Sequence, residues 1–197
     1  MNIQALVFDG FEEMDLVGMY EPLRLVPFEV AMRSLREQTI VKAAYGLAIV
    51  VSKAIDVLEP PDLLLIPGGG WLSRARQGAW AEAQNGEILD IIRKLHDKGT
   101  ILASVCTGSL LIASAGLLKG RPATTNHQAL KELEGLGAKV IDARVVDDGE
   151  IITAGGITSS IDPALHLIDR FASTEEALRV SELIEFEQRG PIWRRCE

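Results

Sequence analysis

"TILASVCTGSLLIASAGLLKG", residues 100–120, holds two structural elements and the corner between them. Ile101 to Val105 is a short run of apolar and small residues, the pattern of a strand buried on both faces. Cys106 ends that run, and Gly108 opens a helix-like segment reaching residue 118. Residues 101–118 carry no charge, which raises the question of a membrane span. Ser104, Thr107, Gly108, Ser109, Ser114 and Gly116 interrupt it, and the reading is strand, turn and helix inside a protein core. A sharp strand-to-helix turn with small neighbours around its apex is the form of a nucleophile elbow. Ser104, Cys106 and Gly108 supply small-x-Cys-x-Gly. A buried structural cysteine is the competing reading. In the reactive reading the sulfur projects into a cleft at a helix N-terminus, where free N–H groups and the helix dipole favour a thiolate.

Outward from this corner the chain alternates apolar strands with amphipathic helices. Strands are expected over "IQALVF" (3–8), "FEVAMRS", the two arms around Tyr45-Gly46, and residues 63–66. Helices are expected over 15–26, 85–97, 108–118 and near 127–135. Asp148-Gly149 reads as a hairpin turn. Ser160 reads as an N-cap with Pro163 in the first turn, and Ser173 with Glu176 has capping-box spacing. The pattern implies an α/β fold, a mostly parallel sheet with helices on both faces, over a single domain, 1–197. In such sheets ligands bind beyond the carboxyl ends of the strands. Chemistry is therefore expected in "DGFEEMD", "PGGG", "CTG" and "AGGITSS".

Composition narrows the classes. A formal net charge of −8 argues against a nucleic-acid surface. The N-terminus lacks a basic region followed by a long apolar run, so no signal peptide is read there. Two cysteines, Cys106 and Cys196, make no disulfide framework, and a reducing, cytoplasmic setting is expected. Small-molecule or protein partners are expected, with neither nucleic acid nor membrane. No Gly-x-Gly-x-x-Gly or Gly-Lys-Ser/Thr signature appears, and no cofactor is expected. No spacing of Cys, His and carboxylates reads as a metal site.

A cysteine nucleophile needs a group that handles protons. Of the three histidines, His96 reads as solvated and His166 as partly buried structure. His127 can approach a strand-end cleft and is, with Ser159, a candidate wall of the site. "GFEEMDLVG" (10–18) offers Glu12, Glu13 and Asp15. Glu12 and Glu13 read as loop charges complementing a helix start. Asp15 is either an N-cap or, if the first strand lies near the one before Cys106, a proton carrier beside the thiol. In "IPGGGW" (66–71), the backbone of Gly68 and Gly69, with the N–H of Thr107, can form an anion-stabilising pocket.

Four stretches, in order over nearly the whole chain, resemble the ThiJ/PfpI superfamily. They are "FDGFEEMDLVG", "LLLIPGGG", "ASVCTGSLLIASAGLLKGRPATTNH" and "VVDDGEIITAGGITSSIDPALHLI". The resemblance implies a flavodoxin-like three-layer sandwich of the class I glutamine amidotransferase type, with homodimers usual. It makes Cys106 the nucleophile and Asp15 its carboxyl partner. "SVCTGS" and the tail "ELIEFEQRGPIW" are most similar to the isocyanide hydratase branch, implying hydration of an isocyanide to an N-formamide through a thioimidate on Cys106. The same two residues suit glyoxalase- or deglycase-like chemistry on 2-oxoaldehydes. A non-catalytic redox or stress sensor, working through Cys106 oxidation, is the reading from another class. A similar domain precedes a DNA-binding domain in some AraC-type regulators, and no such domain is read here. The chain departs from the pattern at Asn126, where many relatives read His, and at Val17, where hydratases tend to read Thr. Protease members place His directly after the cysteine, and Thr107 stands there instead.

Overall fold

The computed structural model describes residues 1–37 and 39–195, so Cys196 lies outside the described residues. Its centre is a seven-stranded sheet built from β1 (Asn2–Leu6), β2 (Glu29–Arg33), β5 (Leu63–Ile66), β6 (Ile101–Val105), β9 (Val145–Asp147), β10 (Ile151–Ala154) and β11 (Ile192–Arg194). The order across the sheet is β11-β9-β10-β6-β5-β1-β2. Strands β10, β6, β5, β1 and β2 run parallel; β9 is antiparallel to β10 and carries β11 parallel to itself. Residues 63–66 and 102–105 are buried throughout. They are covered on both faces, which is why they read as unbroken apolar runs instead of alternating ones.

Helices α1 (Glu13–Arg24), α6 (Ile161–Phe171) and α7 (Thr174–Leu183) pack together as one layer. Helices α2 (Ala79–Asn85), α3 (Glu87–Asp97) and α4 (Gly108–Ser114) form another, with α5 (Leu130–Gly135) against α4. The three-layer α/β architecture expected from the alternation is present. Two small ribbons lie outside the main sheet: β3 (Thr39–Lys42) with β4 (Ala48–Val51), antiparallel around Tyr45-Gly46, and β7 (Pro122–Ala123) with β8 (Lys139–Val140). Among the described residues no helix is long and apolar enough to cross a membrane. Residues 101–118 instead form β6 and α4, two short buried elements.

Several boundaries correct the expectation. Helix α1 starts at Glu13, because Glu12 is its N-cap and accepts the Asp15 N–H at 2.9 Å. Asp15 is therefore not the cap. Helix α4 ends at Ser114, where the chain turns through Gly116 at φ +84°. The segment near 127–135 divides into a 3₁₀ turn, His127–Ala129, and α5. Ser160 makes no capping bond, because a second 3₁₀ turn, Ile157–Ser160, leads straight into α6. Ser173 does cap α7, accepting the Glu176 N–H at 3.1 Å. Strand β11 was not anticipated; its three residues carry no turn signal and pair only through the tertiary fold.

The topology positions the site. Four neighbouring parallel strands, β10, β6, β5 and β1, send their carboxyl-terminal loops to the same end of the sheet. Those loops begin at Gly155, Cys106, Pro67 and Val7, bringing together segments more than a hundred residues apart in sequence.

Candidate active site

Cys106 follows the last residue of β6 with φ +54°, a left-handed conformation that is costly away from glycine. The surroundings over-determine it. Its N–H points at the carbonyls of Ala154 (3.2 Å) and Gly155 (2.9 Å), and its carbonyl accepts the hydroxyls of Thr125 (2.7 Å) and Ser109 (3.0 Å). A strain of about 1–3 kcal/mol held by this many bonds from three segments is what an elbow requires. The residue is buried, 6% exposed.

Asp15 lies in the first turn of α1 and is fully buried. Its Oδ2 accepts the Gly68 N–H at 2.9 Å. Its Oδ1 has no hydrogen bond of good geometry among the described residues. The Cys106 thiol lies beside the carboxyl, close enough for each group to act on the other's titration. Burial, reinforced by the Glu12 charge, holds Asp15 well above the ordinary carboxylate range, although the Gly68 N–H and the thiol both favour its ionised form.

Cys106 shifts the same way. Burial first, then the Asp15 charge, push its thiol up to about 12. The Asn126 side chain, which donates to the sulfur, and the nearby N–H groups of Thr107 and Ile157 oppose this. Burial and the neighbouring carboxylate thus oppose the thiolate that the start of α4 favours. In this dry corner, desolvation and a neighbouring anion outweigh the donors. The two groups form one coupled proton site.

The glycine loop does a different job from the one expected. The Gly68 N–H is committed to Asp15, and the Gly69 N–H donates to Thr107 Oγ1 at 3.1 Å. A Cβ at position 68 would lie 2.6 Å from both the nitrogen and the hydroxyl oxygen of Thr107, and 3.0 Å from Asp15 Oδ2. Glycine there permits the close approach that locks carboxyl, elbow and loop together. Of the three groups expected to form the anion pocket, only the Thr107 N–H faces the sulfur.

A cleft of about 570 Å³ is lined by Thr125, Asn126 and Ile157, neighbours of Cys106, though not by Cys106 itself. Asn126, His127, Arg144, Ile157 and Ser159 are among its walls, which places both candidate wall residues on it. His127 is exposed, and among the described residues no histidine ring is bonded to the sulfur. His96 faces Thr100, and His166 is buried against Asp147 at the opposite end of β9 and β10. Among the described residues no group of three or more His, Cys, Asp or Glu is arranged to hold a metal.

Sequence reasoning missed Thr125, Ser109 and Ile157. The two hydroxyls are ordinary helix or loop residues until the fold brings them to the Cys106 carbonyl. Ile157 sits at φ +45°, an outlier for a β-branched residue, and this backbone turns its N–H toward the sulfur. Asn126 was visible only as a departure from a pattern.

Comparison with known proteins agrees with this geometry. The sequence pattern of the DJ-1/PfpI family matches residues 1–170. Isonitrile hydratase of Pseudomonas putida is 31% identical over 192 residues, covering 98% of this chain and 81% of the relative. Deglycase TK1284 of Thermococcus kodakarensis is 30% identical over 156 residues, covering 78% of this chain and 89% of the relative. A solved ThiJ/PfpI family protein from Pseudomonas syringae superposes with a TM-score of 0.83 at 29% identity, covering 96% of this chain and 76% of that one. With the family pattern running through the elbow, the carboxyl loop and the glycine loop alike, the chain belongs to the DJ-1/PfpI family.

Proposed function

We propose that the protein hydrates a small isocyanide to its N-formamide through a covalent bond to Cys106. The observation that carries this reading is the pairing of a strained cysteine with one buried carboxyl and no histidine. Isocyanide hydration needs a soft nucleophile and a proton delivered to the attacked carbon. Asp15 takes the thiol proton, and the sulfur attacks the terminal carbon. Asp15 returns the proton to that carbon, giving the thioimidate R–N=CH–S–Cys106. Asp15, again a carboxylate, takes a proton from water as the water oxygen adds to the thioimidate carbon, and passes that proton to nitrogen, giving R–NH–CH(OH)–S–Cys106. As the tetrahedral adduct collapses, its hydroxyl proton moves through Asp15 to the departing sulfur, and R–NH–CHO leaves. The similarity to isonitrile hydratase supports this reading. The N–H groups of Thr107 and Ile157 stabilise the sulfur as it enters and leaves. Gly68 and Gly69 act by holding Asp15 and Thr107, and His127 and Ser159 shape the cleft.

The test is formamide production from a simple alkyl isocyanide, with the intact mass of the protein followed during turnover. A transient adduct on Cys106 equal to the substrate mass is expected. Formamide without any adduct, or with undiminished rate in Cys106→Ala, refutes covalent catalysis. A second reading, deglycase-like chemistry on 2-oxoaldehydes, draws on the deglycase similarity. Turnover of a 2-oxoaldehyde, and not of any isocyanide, selects it.

The same reading takes the working form as a cytoplasmic homodimer. Support comes from the exposed Met14 and Val17 on α1, beside an apolar groove of about 480 Å³ that also includes Pro22, Leu25, Ile184 and Phe186.

A further inference from the structure

The Asn126 side chain is buried and lies against the nucleophile: its Nδ2 donates to Cys106 Sγ at 3.5 Å. Side-chain amides are ambiguous end for end, but here a second bond settles the orientation. Oδ1 accepts the Gln128 N–H at 3.0 Å, capping the 3₁₀ turn His127–Ala129. A backbone N–H can only donate, so the oxygen must face Gln128 and the NH₂ must face the sulfur.

Gly156 makes room for this arrangement. A Cβ there would lie 2.4 Å from Asn126 Nδ2, and its three nearest neighbours would all be Asn126 atoms. The Gly156 backbone, at φ −80° and ψ 146°, is one that any residue adopts. Its small size is therefore needed for the amide alone and not for backbone freedom.

We propose that Asn126 is a catalytic residue of this chain, a fixed and non-titrating donor to the Cys106 sulfur, and that Gly156 exists to seat it. The proposal rests on Cys106 being the nucleophile. A thiolate accepts such a bond more strongly than a thiol does, so the amide favours the sulfur each time it becomes anionic: before attack and on departure. An imidazole at this place would gain and lose a proton in the working range, and the amide does not. Proton movement is thereby left to Asp15, while Asn126 supplies polarity that stays constant with pH.

The experiment reads sulfur reactivity without any substrate: the rate of Cys106 alkylation by iodoacetamide at pH 8–9 on the full chain, with melting temperatures recorded alongside. Asn126→Asp keeps the Gln128 bond and replaces the donor with an oxygen facing the sulfur. It should slow alkylation by about tenfold or more, through the lost donor and the added negative charge, and should lower the melting temperature at this pH by burying a second carboxylate; Asn126→Ala, which adds no charge, isolates the donor. Asn126→Ala should slow it less than Asp does. Gly156→Ala should also slow it, by displacing the amide, and should add nothing in the Asn126→Ala background. Wild-type rates in Asn126→Asp overturn the proposal. So do additive effects of Gly156→Ala and Asn126→Ala, which would mean that Gly156 acts elsewhere. Because iodoacetamide needs no turnover, these outcomes are read independently of isocyanide hydration, whose own failure would appear as absent formamide with the alkylation pattern intact.

Discussion

The Asp15 carboxyl and the Cys106 thiol share one buried corner, and burial pushes both toward their protonated forms. Removing the carboxylate should therefore have opposite effects on reactivity and on catalysis. Asp15→Asn deletes the charge that, after burial, is the second cause of the raised thiol pKa. Alkylation of Cys106 at pH 8 should become faster than in wild type. Isocyanide turnover should fall by about a hundredfold or more, the usual contribution of a proton carrier. A variant whose sulfur reacts faster with iodoacetamide yet turns over normally would remove Asp15 from the mechanism.

The same carboxyl gives stability a pH dependence of definite sign. Unfolded, Asp15 titrates near the ordinary carboxylate value, about 3.9, and folded it titrates well above that. Below the unfolded value both states hold the proton and burial carries no ionic penalty. As pH rises toward the folded value, the unfolded chain releases its proton first, and that difference costs the native state stability. Asp15→Asn, which accepts the Gly68 N–H equally well, should therefore melt higher than wild type at pH 7–8. Each kcal/mol amounts to about 2–4 °C for a chain of this size. The gain should shrink toward pH 4. A constant difference across pH, measured by thermal melts, would show that Asp15 is not the titrating group.

Thr125 should matter more than its distance from the proton chemistry suggests. Its hydroxyl donates at 2.7 Å to the carbonyl of the strained Cys106. Thr125→Val keeps the shape and leaves that carbonyl with the Ser109 hydroxyl alone. A loss of about 1–2 kcal/mol is expected in chemical denaturation, together with a lower kcat as the elbow relaxes. Unchanged stability and unchanged kcat would mean that Ser109 suffices.

Dimerisation has a direct check. Val17 is 39% exposed on α1, on the rim of the apolar groove. In light scattering the wild type should run as a dimer and Val17→Asp as a folded monomer, because a charge in a buried apolar contact finds no partner. A wild-type monomer at working concentration would refute the interface.

Much of the fold was legible because the main strands are buried on both faces: Leu63–Ile66 and Ile101–Val105 have the bounds their apolar runs suggest. The elbow was legible for a related reason, since a cysteine between a strand and a glycine-opened helix leaves few other geometries. Asp15 was legible only through its place after the first strand. What escaped was set by tertiary contact. Nothing local distinguishes a glycine that offers its N–H to substrate from one that spends it on Asp15, as Gly68 does. The hydroxyl of Thr125 and the N–H of Ile157 gain their meaning from strand neighbours distant in sequence. The thiol's raised pKa was missed because a helix start is visible in sequence and a desolvated anion beside it is not.

The sharpest contrast lies between Cys106 and His127. His127 stands one residue from the amide that touches the sulfur, but it is exposed on the 3₁₀ turn and its ring does not bond the thiol. If catalysis runs on a cysteine–carboxyl pair, Cys106→Ala abolishes turnover and the covalent adduct, while His127→Ala leaves kcat nearly unchanged. The pH profile of His127→Ala should overlay the wild type, because the groups that titrate in the cycle are Asp15 and Cys106. A cysteine–histidine mechanism predicts the reverse: His127→Ala inactive and Asp15→Asn active. Steady-state rates for the three variants between pH 5 and 9 separate the two mechanisms, and an inactive His127→Ala beside an active Asp15→Asn would reassign the proton carrier.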